Sequence, residues 1–127
     1  MAAAAKPNIR PKRRPAGRKA PLNRIRDFRR RYALSQALLA RLLDVSLRTV
    51  SGAESATTIP SPLRRSITQV TRLLDALGEA MQPDFVGQWL DQPNEMLNSL
   101  KPVEAIERGE IDLVWQIAEG LRSGSQL

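Results

Sequence analysis

The stretch from Ser35 to Ser55 reads SQALLARLLDVSLRTVSGAES and carries the clearest structural signal in this chain of 127 residues. Each half opens with a serine, Ser35 or Ser46, whose hydroxyl can accept a hydrogen bond from a backbone N–H in the first turn of a helix. Leucines follow the first serine at helical spacing, and Leu47 and Val50 take the inward positions of the second half. The pattern predicts two short helices, the second from Leu47 to about Ser55, joined by a break of three residues.

The break between these two helices has the residue types that a steep crossing requires. Such helices need a small residue where they touch, a turn residue that tolerates an unusual backbone, and a buried aliphatic residue on the second helix. Ala40, Asp44, Val45 and Val50 stand at suitable spacings, and aspartate adopts the left-handed conformation more readily than most residues. The stretch is therefore predicted to be a helix-turn-helix, a motif that proteins use to read DNA.

Apolar residues continue at helical spacing on both sides of this motif. A preceding helix is predicted from Leu22 to Tyr32, and a long following helix from Leu63 to Met81, which could close the first three helices, connect two half-domains or mediate dimerisation. Further helices are predicted around Trp89, from Pro102 to Arg108 with Gly109 ending it, and from residue 111 to 121. No segment has the pattern of a strand. The predicted fold class is all-α.

Charge divides the chain into a basic arm and a mildly acidic body. Residues 1–31 contain twelve Lys or Arg and one acidic residue, Asp27, whereas the rest of the chain contains eight basic and twelve acidic residues. Residues 1–20 also contain three prolines and almost no large apolar residue, so they are expected to be a disordered arm that could lie along a phosphate backbone. A solubilising tail or a cloning remnant is the alternative interpretation.

Composition argues against enzymatic and metal chemistry. The chain has no cysteine and no histidine, so it lacks the usual nucleophile, general-base and zinc-binding residues. The acidic residues Glu104, Glu107, Glu110 and Asp112 resemble a solvated helix face with no base or nucleophile beside it. No apolar run is long enough to span a membrane, and no secretory signal is recognisable. We therefore expect a cytoplasmic protein that is not an enzyme and uses no cofactor or metal.

Residues 22–77 resemble the Xre or Cro/C1-type repressor domains, through Gln36, Ala40, the Asp44–Ser46 turn, Glu54 and Pro60. The resemblance implies that the helix from Leu47 enters the major groove of operator DNA and that two copies of the chain read two half-sites. It assigns DNA contact to five residues, and Arg48 is the best candidate for a guanine because a guanidinium can donate two hydrogen bonds to that base. These five residues are Gln36, Ser46, Arg48, Thr49 and Ser51.

Gly52 and Ala53 depart from the longer side chains that this family usually has there. A glycine within a helix also costs about 1 kcal/mol relative to alanine. The predicted reading helix therefore has few side chains with which to distinguish bases. We expect modest specificity per subunit, supported by dimerisation and by the basic arm.

The second half of the chain resembles the toxin-binding domain of Xre/MbcA/ParS-type antitoxins of the RES-Xre family. The matching positions lie between Trp89-Leu90 and Gly120 and include Pro93-Asn94, Pro102, Gly109 and Asp112; Ser99 and Lys101 flank Leu100 where the family commonly has a glycine before the proline. The resemblance implies a RES-type toxin that degrades NAD, or transfers ADP-ribose, and whose active-site entrance is obstructed by residues 121–127. The toxin-binding residues that it implies are Trp89, Trp115, Leu121, Arg122, Ser123 and Leu127.

Together these features predict three parts. Residues 1–20 form the basic arm, residues 21–82 the DNA-binding and dimerisation domain, and residues 83–127 the toxin-binding domain. The function expected is that of a homodimeric type II antitoxin that neutralises its toxin and represses its own operon. The alternative is a stand-alone regulator whose second half dimerises or senses a ligand.

Overall fold

A computed structural model describes residues 20–124, with side chains from Arg24 onward. The predicted arm, apart from its last residue, and Leu127 lie outside the described residues. Within residues 20–124 every regular element is helical, as predicted, and the one strand-like pairing is an isolated bridge between Asn94 and Leu100. The seven helices are α1 (Ala20–Arg31), α2 (Gln36–Leu43), α3 (Leu47–Ser55), α4 (Ser61–Ala80), α5 (Val86–Leu90), α6 (Pro102–Glu107) and α7 (Ile111–Arg122).

The junction of α2 and α3 has the predicted caps and turn. Ser35 Oγ accepts a hydrogen bond from the Leu38 N–H, and Ser46 Oγ accepts one from the Thr49 N–H, both at 3.0 Å. Asp44 is left-handed, with φ 58°, and ends α2. The Val45 N–H then donates to the Ala40 carbonyl at 3.0 Å, which satisfies an acceptor that the end of α2 would otherwise leave unpaired.

The helices surround a single hydrophobic core that includes residues from both halves of the chain. α4 makes its most extensive contact with α7, and α2 packs against both α3 and α6. The centre of the core is formed by side chains with almost no exposed surface: Tyr32, Leu39, Leu73, Leu74, Leu77 and Leu90. The division at residues 82 and 83 remains a prediction, and the two parts on either side of it share buried surface.

Tyr32 ties the end of α1 to α4. Its ring is buried, and its hydroxyl donates a hydrogen bond of 2.5 Å to Asp75 Oδ1. Burial, together with the hydrogen bond to the Asp75 carboxylate, raises the pKa of Tyr32 to about 12. The phenol therefore stays protonated and remains a donor throughout the physiological pH range.

Gly87 forms a close backbone contact between the two parts of the chain. Its N–H donates to the Tyr32 carbonyl at 2.9 Å, and a Cβ added at this position would lie 2.4 Å from the Ala33 carbonyl oxygen. No other residue type fits against the backbone at this distance without displacing it. α5 is thereby held against the loop that follows α1.

The turn before α6 depends on two consecutive residues in the left-handed region. Asn98 has φ 56° and Ser99 has φ 71°, so two residues that carry a Cβ adopt a backbone conformation that strains an L-residue and favours glycine. Pro102 begins α6, and the Lys101 N–H donates to Glu104 Oε1 at 2.8 Å. Gly109, at φ 83°, follows the end of α6 as the sequence predicted.

Candidate functional site

The exposed face of α3 contains four of the five residues predicted to contact DNA. The side chains of Ser46, Arg48, Thr49 and Ser51 are all exposed. The hydroxyls of Ser46 and Thr49 lie 2.9 Å apart, so each can orient the other. The face can therefore offer a guanidinium and three hydroxyls to a ligand, a set that can hydrogen-bond both base edges and phosphates.

Two expectations about α3 are wrong, and they change its face. Leu47 was predicted to point inward but is 51% exposed, while Ala53, assigned to the reading face, is buried. The inward row of α3 consists of Val50, Ala53 and Glu54, at helical spacing, and Leu47 lies in the first turn at the edge of that row. The exposed face of α3 therefore includes a large apolar side chain, Leu47, and Gly52 is its one position without a side chain.

Glu54 is the centre of a buried polar network that joins α1, α2 and α3. Its side chain is 3% exposed. Arg29 donates to Oε2 at 2.6 Å and to Oε1 at 3.3 Å, Gln36 Nε2 donates to Oε1 at 3.0 Å, and Arg26 lies 3.7 Å from Oε1. Burial alone would raise the pKa of Glu54, but the hydrogen bonds from Arg29 and Gln36 outweigh it and the pKa is lowered. The network therefore ties α3 to both α1 and α2.

The same network occupies one N–H of Gln36, the fifth predicted DNA contact. An amide carries two N–H donors and a carbonyl acceptor, so Gln36 retains groups that can reach a ligand. Its partly buried position and its bond to Glu54 give it a structural role that its place in the motif did not reveal. Glu54 itself was missed because its partner Arg29 lies 25 residues away, and no local pattern connects the two.

A second ion pair joins α2 to α6 in the C-terminal part of the chain. Arg41 on α2 donates to both carboxylate oxygens of Glu107, from Nε and Nη2 at 2.8 Å each. The hydrogen bond from Arg41 lowers the pKa of Glu107. Both side chains are more than one-third exposed, so this ion pair adds little to the stability of the fold, although it joins α2 to α6.

Five of the six predicted toxin-binding residues are described, and they lie on α5, on α7 or directly after α7. Trp89 on α5 and Trp115 on α7 are half-buried and pack against the core, and Trp89 also borders a shallow hollow formed with Pro93, Asn94, Glu95 and Met96. The tryptophans therefore support the framework and expose only part of their rings.

The end of α7 is more exposed and is attached to α4. Leu121 is 37% exposed. Arg122 donates to Glu79 Oε1 at 3.1 Å and to Glu119 Oε1 at 2.6 Å, while Ser123 Oγ donates to the Gly120 carbonyl at 3.2 Å. The hydrogen bonds that Arg122 donates to Glu119 and Glu79 raise the pKa of its guanidinium. The segment predicted to obstruct a toxin thus begins at a position held by α4.

α7 carries exposed apolar side chains. Leu113 is 40% exposed. Leu113 and Leu121 give α7 exposed apolar surface next to the carboxylates of Asp112 and Glu119. A helix with this surface can pack against a protein partner.

Within residues 20–124 no group of acidic residues is arranged to hold a metal ion, and none of the helices is long and apolar enough to cross a membrane.

Comparison with known proteins identifies the relatives of this chain, although no family model matches it. The mycobacterial cidal antitoxin MbcA of Mycobacterium tuberculosis is 24% identical over 95 residues, which are 74% of this chain and 84% of MbcA, and MbcA of Mycobacterium bovis matches equally. A probable mycobacterial cidal antitoxin of M. tuberculosis is 27% identical over 99 residues, 78% of this chain and 85% of that protein. The homologues of the present chain are thus MbcA antitoxins.

The fold agrees with this relationship. A chain in the crystal structure of the M. tuberculosis MbcT–MbcA toxin–antitoxin complex superposes with a TM-score of 0.69 at 22% identity, covering 84% of this chain and 97% of that chain. At such an identity the likeness shows the fold, and the fold is the all-α arrangement that the resemblance to MbcA-type antitoxins implied.

Proposed function

We propose that this chain is the antitoxin of a type II toxin–antitoxin pair, which binds and neutralises a RES-type toxin and represses its own operon. The observation that carries the proposal is the agreement of sequence and fold: the sequence match covers 84% of MbcA, and the structural match covers 97% of a chain in the MbcT–MbcA complex. A match over a whole small protein supports a shared role more strongly than a match to one motif does. The chain acts by binding in this proposal, and no catalytic residue, cofactor or metal takes part.

Toxin neutralisation is assigned to the C-terminal part, and chiefly to the segment from Leu121 to Leu127. Exposed Leu113 and Leu121 offer apolar contact, while Arg122 fixes the start of the segment on α4. The remainder can then enter the polar pocket of an NAD-degrading or ADP-ribosylating enzyme. Trp89 and Trp115 contribute by holding α5 and α7 in position and by their exposed edges.

Autoregulation is assigned to α3. Its exposed Arg48, Thr49 and Ser51 are suited to the major groove, with Ser46 and Gln36 at its margins. Leu47 adds an apolar contact of the kind that a thymine methyl group accepts. A homodimer would place two such faces on two half-sites.

Co-expression with the toxin encoded by the neighbouring gene tests the proposal. Growth should be arrested by the toxin alone and restored by this chain, and a variant lacking residues 123–127 should lose rescue while keeping DNA affinity within about twofold. The truncation leaves Arg122 and its contacts in place, so α7 remains attached to α4. Growth arrest that is equal with and without the intact chain would refute the antitoxin role.

The Arg48→Ala variant is the complementary control, because Arg48 is exposed and is assigned to DNA binding and not to toxin binding. It should restore growth as well as the wild type does and bind DNA upstream of its own gene at least tenfold more weakly. The alternative function, a stand-alone regulator, predicts DNA binding and no neighbouring toxin gene. Retained DNA binding together with failure of rescue would favour that alternative.

A further inference from the structure

A groove runs between α1 and α4, and no residue of α3 or of the C-terminal segment lines it. Its volume is about 520 Å³, within the range of about 300–1,000 Å³ typical of binding sites. Buried Ile25 and Ile59 form its floor, and half-buried Phe28 and Ile67 line its sides. Neither toxin binding nor operator reading, as proposed above, uses these residues.

The rim of this groove is strongly cationic. Arg24, Arg31, Arg64 and Arg72 line it with exposed side chains, against one carboxylate, Asp27. None of the four arginines forms an ion pair with a carboxylate in the part of the chain that the structure describes. The rim therefore has a net charge of about +3 that no neighbouring side chain neutralises, and it surrounds an apolar floor.

Two of these guanidinium groups are already oriented. Arg31 lies over the Tyr32 ring, 5.5 Å from its centroid, and Arg64 Nη2 donates to Ser61 Oγ at 2.8 Å. A guanidinium has five N–H donors, so each arginine retains several for a ligand. Because their side chains have lost part of their freedom before binding, an anion would bind them at a smaller entropic cost.

We propose that this groove binds an acidic amphipathic helix of a partner protein. Apolar side chains spaced three and four residues apart on that helix would contact Phe28 and Ile67, and carboxylates along its flanks would pair with the arginines of the rim. An apolar floor with a charged rim is the arrangement of a protein-binding patch, and arginine is enriched at such interfaces.

Other occupants fit less well. A nucleic acid backbone would meet the arginines but leave Phe28 and Ile67 against phosphates and sugars. A second copy placed groove to groove would bring two cationic rims together, and like charges at that distance repel. A second copy placed head to tail would generate a ring or an open chain of molecules and not the two-fold dimer that reads two half-sites.

The experiment uses two labelled synthetic peptides of helical design and the full chain. One peptide has leucines at positions i, i+3, i+4 and i+7 with glutamates elsewhere, and the other has lysine in place of each glutamate. Fluorescence anisotropy should show binding of the acidic peptide, weakening as salt rises from 50 to 500 mM, and at least tenfold weaker binding of the lysine peptide. Equal binding of both peptides would overturn the proposal.

Charge reversal locates the site. The double variant R64E/R72E should weaken binding of the acidic peptide at least tenfold, whereas R30E/R108E, which makes the same change in net charge at exposed arginines outside the groove, should change it less than twofold. Circular dichroism with thermal unfolding checks that both variants are folded. An equal loss of peptide affinity in the two variants would show that binding depends only on net charge, and it would refute the groove as the binding site.

Two further results would assign the groove to another occupant and refute the proposal. Light scattering could show that the wild type is a dimer and R64E/R72E a monomer, which would make the groove a self-association surface. DNA upstream of the gene could displace the peptide from the wild type, with R64E/R72E losing DNA affinity in parallel, which would make it a phosphate-binding surface. Failure of either kind leaves the growth-rescue result unaffected, so the groove and the antitoxin role are tested separately.

Discussion

Replacing Glu54 by glutamine tests whether its buried network holds α3 in place. Glutamine keeps the size of the side chain but removes the charge that compensates Arg29, whose side chain is 16% exposed. Breaking one partner of a fully buried ion pair costs about 3–5 kcal/mol, and because Arg29 keeps some contact with water we expect a loss near 2–3 kcal/mol. With a urea m-value of about 1–3 kcal/mol/M, the unfolding midpoint should fall by about 0.7–3 M at unchanged slope.

The matched control is Glu107→Gln. Glu107 also receives two hydrogen bonds from an arginine, Arg41, but its side chain is 39% exposed. The same change of carboxylate to amide should therefore cost no more than about 1 kcal/mol. An equal loss in the two variants would refute the argument that burial makes the Glu54 network important.

The pH dependence gives an independent check. The pKa of Glu54 is lowered in the folded protein, so its stabilising effect is fully present above the pKa of the unfolded chain, about 4.3, and is lost as pH falls through the folded value. The difference in stability between wild type and Glu54→Gln should be constant from pH 7 to about pH 5 and then narrow. A difference that remained unchanged throughout the acid range would show that the carboxylate charge is not its origin.

The remaining predictions concern glycines, one strained turn and one apolar contact. Gly52→Ala should stabilise the protein by about 0.5–1 kcal/mol, because a Cβ there meets no atom within 4 Å. Gly87→Ala should destabilise it by about 1–3 kcal/mol or more, because its Cβ would overlap the Ala33 carbonyl. If urea unfolding ranked the two variants in the opposite order, the packing described for these glycines would be contradicted. Ser99→Gly should raise the free energy of unfolding by about 0.5–1 kcal/mol, since it relieves φ 71°, and a loss of stability would instead assign the serine an unrecognised contact. Replacing thymine by deoxyuracil in the upstream DNA should weaken binding of the wild type about fourfold, because one buried methyl group contributes about 0.8 kcal/mol. The same replacement should leave DNA binding by the Leu47→Ala variant unchanged. An equal loss of affinity in both proteins would exclude a contact between Leu47 and a thymine methyl group.

Local chemistry made much of the fold predictable. Ser35 and Ser46 cap the two helices, and Asp44 turns left-handed between them, because each of these roles depends on a few neighbouring residues. Leu47 was misplaced for a related reason. Periodicity identifies the side of a helix, but whether a residue in the first turn is covered depends on where the neighbouring helices end.

Contacts distant in sequence were not predictable from spacing. Arg41 and Glu107 are 66 residues apart, and nothing in either local pattern indicates that α2 lies against α6. The groove between α1 and α4 likewise requires two helices whose adjacency no motif encodes. The candidate DNA-reading residues were identified because their motif is local, whereas the partner-binding surfaces depend on tertiary structure.

The close contact of Gly87 with the loop after α1 has a consequence for how long the protein survives in a cell. This contact, the Arg41–Glu107 pair and the α4–α7 packing all join the N-terminal helices to the C-terminal helices. Opening the C-terminal helices would therefore expose core leucines that also pack against the N-terminal helices. A protease that captured such an opened form would destroy both parts of the chain in a single event. If the chain has the two activities proposed for it, one unfolding equilibrium sets the lifetime of both.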